Sequence, residues 1–203
     1  KMPALEITVW SGCNYSEWLR CPASTADAQE EKKRALAYCT ESMQEIIKVA
    51  EKLGVDYCFE VLNRFEQFLF NTSEEAVAFS EGVNSPRAKI LLDTYHMNIE
   101  EDSTPAAILH AARRGKLGHL HVGESNRRIP GVAPSDMNWN GIAEALKEAT
   151  YEGALIMEPF VLTAAHNAKR TRVWRDLCKD KDLPALVEDA RKGGRFLREL
   201  MGH

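Results

Sequence analysis

The 203 residues are 44% hydrophobic and 28% charged, a composition that allows one substantial globular domain. A net charge of −4 and the lack of a long basic run argue against nucleic acid or an anionic membrane as a main partner. The apolar stretches are too short to cross a bilayer, and five dispersed cysteines without CxxC spacing indicate reduced thiols. These features predict a soluble, cytoplasmic protein.

Short apolar runs alternate with stretches of helical periodicity along the chain. In chain order the pattern predicts a strand at 5–10, a helix at 26–53, a strand at 55–62, a helix at 73–82, a strand at 89–93, a helix at 104–115, a strand at 117–122, a helix at 138–150 and a strand at 154–158. Ser24 or Thr25 would cap the first helix, and Gly54 would end it. From about residue 169 the pattern predicts helices, broken near Pro184 and at Gly193 and Gly194.

One strand and one helix recur roughly every thirty residues, which is typical of parallel βα architecture with right-handed crossovers. No segment rich in glycine, serine or proline separates two halves of the chain. We therefore interpret residues 1–203 as a single domain of the α/β class.

Four candidate metal ligands lie at or near the carboxyl ends of the last four predicted strands, about one βα unit apart: Glu60, Asp93, His121 and Glu158. In a parallel barrel these strand ends meet at one rim, where active sites lie. Three carboxylates and one imidazole suit Mn²⁺, Co²⁺ or Mg²⁺, whereas a structural zinc site recruits thiolates more often. Carboxylates in apolar strands need a compensating charge, which a cation would supply.

Four sequence motifs extend around these ligands: EVLNRFE at 60–66, LLDTYHMNIEED at 91–102, HLHVGESNRRIPG at 119–131 and MEPF at 157–160. In content and order they resemble the active-site motifs of the D-tagatose/D-psicose (allulose) 3-epimerase family. The resemblance implies a (β/α)8 TIM barrel, of which about five of the eight βα units are present in this chain. It also implies that the N-terminal units, on the order of a hundred residues at typical barrel size, are missing.

The resemblance implies a role for each motif residue. Glu60, Asp93, His121 and Glu158 would hold a divalent metal, with Mn²⁺ favoured, and Glu60 and Glu158 would also act as the catalytic base and acid. Substrate would be bound by four further residues: Glu66, His96, Arg127 and, in a looser motif, Trp18. The substrate would be a free ketohexose whose C3 is inverted, and the protein would be a dimer or tetramer.

His119 raises a separate question, because it lies two residues before His121 and both imidazoles would point to the same face of a strand. Spacing alone does not choose between them. The family pattern favours His121 as the ligand, and His119 would then be a packed histidine beneath the site.

Three other functions are compatible with parts of the pattern. An isomerase of the same superfamily could act on another sugar or on a sugar phosphate, although no glycine-rich phosphate cradle is present. A DNA-repair endonuclease would need further metal ligands and a basic face, which this acidic chain lacks. A non-catalytic barrel acting as a binding module would be expected to have lost one or more of the four ligands.

Overall fold

The computed structural model describes residues 5–6, 24–163 and 173–202. Within these residues the strands are β1 (Leu5–Glu6), β2 (Tyr57–Glu60), β3 (Ala88–Asp93), β4 (Leu117–Val122) and β5 (Leu155–Met157). The helices are α1 (Thr25–Leu53), α2 (Ser73–Gly82), α3 (Thr94–Glu100), α4 (Thr104–Arg113), α5 (Trp139–Glu148) and α6 (Leu183–Met201).

The five strands form one parallel sheet in which the order in space follows the order in the chain. Asp93 pairs in register with His121, and Val122 pairs with Met157. Because all strands run in the same direction, the carboxyl ends of β2, β3, β4 and β5 lie at one edge of the sheet. This edge is where a βα barrel places its functional side chains.

Helices cover one face of the sheet, and the hydrophobic core lies between the two layers. The strands contribute apolar side chains to it, among them Phe59, Ile90, Leu92, Leu120 and Val122. Phe59 packs edge-on against Phe79 of α2, with ring centroids 4.9 Å apart. Each fully buried side chain of this size stabilises the fold by about 1.5–3 kcal/mol. Since side chains alternate between the faces of a strand, Glu60, Asp93 and His121 point to the opposite face.

Helix ends follow the local sequence closely. The side chain of Ser24 accepts the N–H of Asp27 at 3.2 Å, and Gly54 ends α1 with a left-handed φ of 69°. Both ends of the first helix confirm the prediction. Helix α3 was not predicted; it begins directly after β3 because the Asp93 carboxylate accepts the N–H of Tyr95 at 2.8 Å. None of the described helices is both long and apolar enough to cross a membrane.

The predicted strands are confirmed in number and order, but several are shorter than expected. The strand predicted at 55–62 is confined to Tyr57–Glu60, and the one at 154–158 to Leu155–Met157. Of the strand predicted at 5–10, only Leu5–Glu6 falls within the described residues. Glu158 therefore follows β5 directly instead of ending it.

The C-terminal region differs most from the prediction. The described residues 173–182 are not helical, and α6 runs from Leu183 to Met201 without a break. Pro184 lies in the first turn of α6, where proline is tolerated, so it begins the helix and does not break it. The predicted break at Gly193 and Gly194 is wrong as well. A Cβ on Gly193 would lie 2.4 Å from Cγ2 of Ile129, so a bare backbone is needed where α6 crosses this loop.

Candidate metal centre

The four predicted ligands converge at the carboxyl edge of the sheet. One oxygen or nitrogen atom from each of Glu60, Asp93, His121 and Glu158 lies within 4.8 Å of the others. His121 Nδ1 is 3.7 Å from Glu60 Oε1, 3.8 Å from Asp93 Oδ2 and 3.5 Å from Glu158 Oε2. Their positions follow from the parallel register, because each side chain lies at or next to the carboxyl end of one of four consecutive strands.

Two of the three carboxylates of this cluster, Asp93 and Glu158, are held in their ionised form. Burial would raise the pKa of Asp93, but the neighbouring His121 imidazole and the charge of Arg127 outweigh burial and lower that pKa to about 2. Burial opposes ionisation of Glu158 too, yet the same two neighbours bring its pKa below the ordinary value. Deprotonated carboxylates are the form that binds a cation.

The chemistry of the cluster fits a divalent cation. Asp93 is fully buried and Glu60 nearly so, while Glu158 is partly exposed. Three carboxylates beside the single guanidinium of Arg127 leave two negative charges, which a divalent ion would neutralise. Oxygen ligands with one imidazole nitrogen match the preferences of Mn²⁺, Co²⁺ and Mg²⁺. We therefore regard these four residues as a candidate metal centre.

Arg127 enters the site from the loop between β4 and α5. Its Nη1 donates to Asp93 Oδ2 at 2.5 Å and to Glu158 Oε2 at 3.1 Å. The guanidinium carbon lies 4.3 Å from the centre of the Tyr95 ring and 4.9 Å from that of Phe160. Arg127 thus lies against two aromatic rings while its donors face the carboxylates, an arrangement that favours a fixed cation.

His96 and Glu66 line the same edge. His96 is buried, its Nδ1 accepts the backbone N–H of Asn63 at 3.2 Å, and its Nε2 is 2.9 Å from Arg127 Nη2. Burial lowers the pKa of His96 although Asp93 opposes the shift, so the ring is neutral at pH 7. Glu66 is about half exposed and accepts from Asn63 Nδ2 at 2.9 Å. The structure therefore gathers three of the four predicted substrate-binding residues beside the cluster.

Two other sequence predictions have different outcomes. Trp18 lies outside the described residues. His119 is half-buried and is not a member of the four-residue cluster; its ring meets that of His121 edge-on, with centroids 5.3 Å apart. His119 therefore lies next to the candidate centre without belonging to it.

Four residues of the site were missed by the sequence analysis: Asn63, Tyr95, Glu124 and Phe160. All four fall inside the quoted motifs, directly beside or a few positions from a predicted site residue. Motif membership was thus the only signal that could have found them, because their contacts depend on how the loops fold back over the sheet.

Comparison with known proteins is consistent with this geometry. A family model described as a xylose isomerase-like TIM barrel matches residues 3–192, and the chain belongs to this family. The predicted barrel class is confirmed.

Individual relatives narrow the likeness to sugar epimerases. The chain is 41% identical to D-psicose 3-epimerase of Ruminiclostridium cellulolyticum over 97% of its own length and 64% of the relative's. It is also 41% identical to D-psicose 3-epimerase of Agrobacterium fabrum, over 98% of this chain and 66% of that protein. A crystal structure of D-psicose 3-epimerase with D-tagatose from Clostridium cellulolyticum H10 is also similar, with a TM-score of 0.80 and 44% sequence identity. The match covers 84% of this chain and 57% of the chain in that crystal structure. The family resemblance read from the motifs is confirmed, and the chain spans less than two thirds of these relatives' length, 64% and 66% of the two epimerase sequences.

Proposed function

We propose that this chain belongs to a divalent-metal-dependent ketose 3-epimerase acting on free ketohexoses of the D-psicose, D-tagatose and D-fructose type. The observation that carries the proposal is the cluster of Glu60, Asp93, His121 and Glu158 beside the guanidinium of Arg127. The similarity to D-psicose 3-epimerases supports it. Mn²⁺ is the proposed metal, and Co²⁺ or Mg²⁺ would also suit the ligands.

Inverting C3 requires removal of a proton next to the C2 carbonyl and its return to the opposite face of the sugar. A bound divalent cation would supply Lewis-acid polarisation of that carbonyl. We assign the proton transfers to Glu60 and Glu158, one as base and the other as acid, with the roles exchanged in the reverse direction.

The placement of the two glutamates supports this assignment. Glu60 ends β2 and Glu158 follows β5, so they lie at the two ends of the row of four strands, with Asp93 and His121 between them. Two bases on opposite sides of a bound sugar are what inversion of one carbon requires. Asp93 and His121, from the central strands, would serve only to hold the metal.

Arg127, His96 and Glu66 would orient the substrate. The guanidinium lies next to the cluster and would stabilise negative charge that develops on the sugar oxygens during proton removal. Neutral His96 can exchange hydrogen bonds with a hydroxyl, and the partly exposed Glu66 can accept one at the outer end of the site. Rigid placement of such groups contributes to rate by fixing the reacting carbon near its base.

The proposal is tested by incubating this 203-residue chain and Mn²⁺ with each of the three ketoses in D₂O. We expect interconversion of C3 epimers with deuterium incorporated at C3, and loss of both after chelation. A phosphorylated ketose serves as the alternative substrate; its preferential turnover would indicate a sugar-phosphate isomerase. Stoichiometric metal binding without deuterium exchange in any sugar would contradict the proposal and favour a binding module.

A dimeric or tetrameric state and cytoplasmic location stay predictions.

A further inference from the structure

Glu124 carries a carboxylate that the proposed reaction does not use, although it is only 4% exposed. It lies two residues beyond the end of β4, in the loop that leads to α5. Its Oε1 accepts the indole N–H of Trp139 at 3.2 Å and the backbone N–H of Gly131 at 3.2 Å, and its Oε2 accepts the Ser135 hydroxyl. A buried carboxylate is costly unless hydrogen-bonded, and here one side chain joins three separate points of the loop and α5.

The same residue closes the turn that carries Arg127. The backbone N–H of Glu124 donates to the carbonyl of Arg128 at 3.0 Å, and the N–H of Arg127 donates back to the carbonyl of Glu124 at 2.9 Å. Within this turn Arg127 has a φ of 62°, the left-handed region that a residue with a Cβ rarely adopts. Such a conformation persists only when its surroundings over-determine it.

The far side of the loop is fixed as well. Gly131 has a left-handed φ of 72°, and a Cβ there would lie 2.4 Å from Cγ of Phe196 on α6. The N–H that Gly131 offers to Glu124 therefore comes from a backbone segment with little freedom to move. Glu124 connects this fixed segment to the strained turn at Arg127.

We infer that Glu124 is a positioning residue, which acts by holding the turn of Arg127 in the conformation that brings its guanidinium to the candidate metal centre. This inference rests on the proposed function, in which Arg127 orients the ketose. The side-chain partners of Glu124 are Trp139, Gly131 and Ser135, none of which is a candidate ligand, so its influence would pass through Arg127 and not through the metal.

The first test compares Glu124→Ala with Glu124→Gln in the Mn²⁺-loaded chain. Alanine removes all three acceptor contacts, and we expect kcat/KM for the ketose to fall on the order of 10²-fold, the effect of a small misplacement near the reacting atoms. Glutamine keeps one oxygen for Trp139 and Gly131, and its amide can donate to the Ser135 hydroxyl, so it should retain most activity. Equal losses in both variants would overturn a role based on geometry.

A double-mutant cycle shows whether the effect passes through Arg127. In an Arg127→Ala background, Glu124→Ala should cause no further loss of kcat/KM, because the positioned side chain is already absent. Independent, multiplicative losses would overturn the inference. Asp189→Ala is the matched control, because it removes a similarly buried carboxylate of α6 that binds Lys181, and it should leave kcat/KM near the wild-type value.

A readout independent of turnover separates this inference from the proposed function. The ¹⁵N–¹H signal of the Arg127 side-chain Nε, assigned by its absence in Arg127→Ala, should move to the position of a solvent-exposed arginine in Glu124→Ala and stay in Glu124→Gln. An unshifted signal in Glu124→Ala would refute positioning even if the chain epimerises ketoses. A shifted signal in a chain inactive on every ketose would support positioning while the proposed function fails.

A milder variant covers the case in which Glu124→Ala does not fold. Ser135 is exposed, so Ser135→Ala removes one bond to Glu124 without opening the core. It should shift the Arg127 signal in the same direction by a smaller amount, and Mn²⁺ affinity should not change. An unchanged signal, or a loss of metal affinity, would contradict the inference.

Discussion

Arg127 and Phe160 are connected twice: the backbone N–H of Phe160 donates to the carbonyl of Arg127 at 3.1 Å, and the Arg127 guanidinium lies 4.9 Å from the centre of the Phe160 ring. The loop after β4 is thereby joined to the segment after β5. That segment also carries Glu158. The same short stretch of chain therefore positions both the Arg127 guanidinium and one of the two proposed bases.

We predict that Phe160→Leu weakens ketose binding by about two- to fivefold, the equivalent of losing a cation–π contact of about 0.5–1 kcal/mol. Leucine retains an apolar contact but has no ring quadrupole. Titration calorimetry with D-psicose would measure the change. Phe160→Tyr keeps the ring and should bind the ketose as tightly as the wild type does. An equal loss of ketose affinity in both variants would show that the cation–π contact does not contribute.

The two proposed proton-transfer residues should respond alike to loss of charge. Glu60→Gln and Glu158→Gln keep side-chain size and one ligand oxygen but remove the base, and we expect kcat to fall by about 10²–10⁴-fold while some sugar binding persists. Steady-state kinetics and deuterium exchange at C3, both under Mn²⁺ saturation, would measure this. Glu148→Gln, at an exposed ion pair with Arg113, is the control. Ordinary turnover in either site variant would exclude the two-base mechanism.

Asp93 has two separable functions, as a candidate ligand and as the N-cap of α3. Asparagine is as good a cap as aspartate but has no charge, so Asp93→Asn should lower Mn²⁺ affinity more than tenfold with α3 intact. Asp93→Ala should lose about 1 kcal/mol of unfolding free energy in addition. Metal titration and urea unfolding of the metal-free chain would resolve the two effects; equal stability of the variants would show that the cap contributes nothing.

The residues at the candidate centre were predictable because each is a polar side chain at or next to the end of a largely apolar strand. Parallel strands bring such positions to one edge whatever the helices between them do. Tyr95 and Phe160 were not predictable on this basis, since the stacking of their rings on Arg127 depends on loop conformation. Helix α3 was hidden because its buried positions include Thr94 and His96, polar residues that obscure helical periodicity.

Local propensity also misled where tertiary packing decided the outcome. Two adjacent glycines are a strong signal for a helix break, yet α6 continues through them because it must approach the loop at Ile129 closely. In an isolated peptide, two adjacent glycines would be expected to interrupt the helix. The close approach of α6 to another segment cannot be predicted from the sequence of α6 alone. Here α6 approaches the loop that carries Arg127.

Glu101 leads to a prediction about pH. Its carboxylate accepts the N–H of Ser73 at 2.6 Å, and burial raises its pKa despite this bond. A raised folded-state pKa means that the folded chain binds more protons than the unfolded one, so this residue's contribution to stability is present at acid pH and is lost as pH rises through the folded pKa. Glutamine keeps the acceptor without the charge.

We therefore expect Glu101→Gln to be more stable than the wild type at pH 7, with the difference vanishing below the ordinary glutamate pKa of 4.5. Urea unfolding at a series of pH values would measure it. Glu45→Gln, at an exposed ion pair with Lys48, is the matched control variant. A Glu101→Gln chain less stable at neutral pH would mean that the ionised carboxylate is favourable where it lies.

Gly193 and Gly194 offer a matched pair for testing the α6 packing, because they are neighbours in one helix with opposite surroundings. A Cβ on Gly193 would lie 2.4 Å from Ile129 Cγ2 and 2.8 Å from Met157 Sδ, whereas on Gly194 the nearest atom is 3.9 Å away. Gly193→Ala should therefore destabilise the fold by about 1–3 kcal/mol through overpacking. Gly194→Ala should stabilise it by about 0.5–1 kcal/mol through helix propensity. Guanidinium unfolding would compare them, and a stabilising Gly193→Ala would show that α6 does not lie against the loop as described.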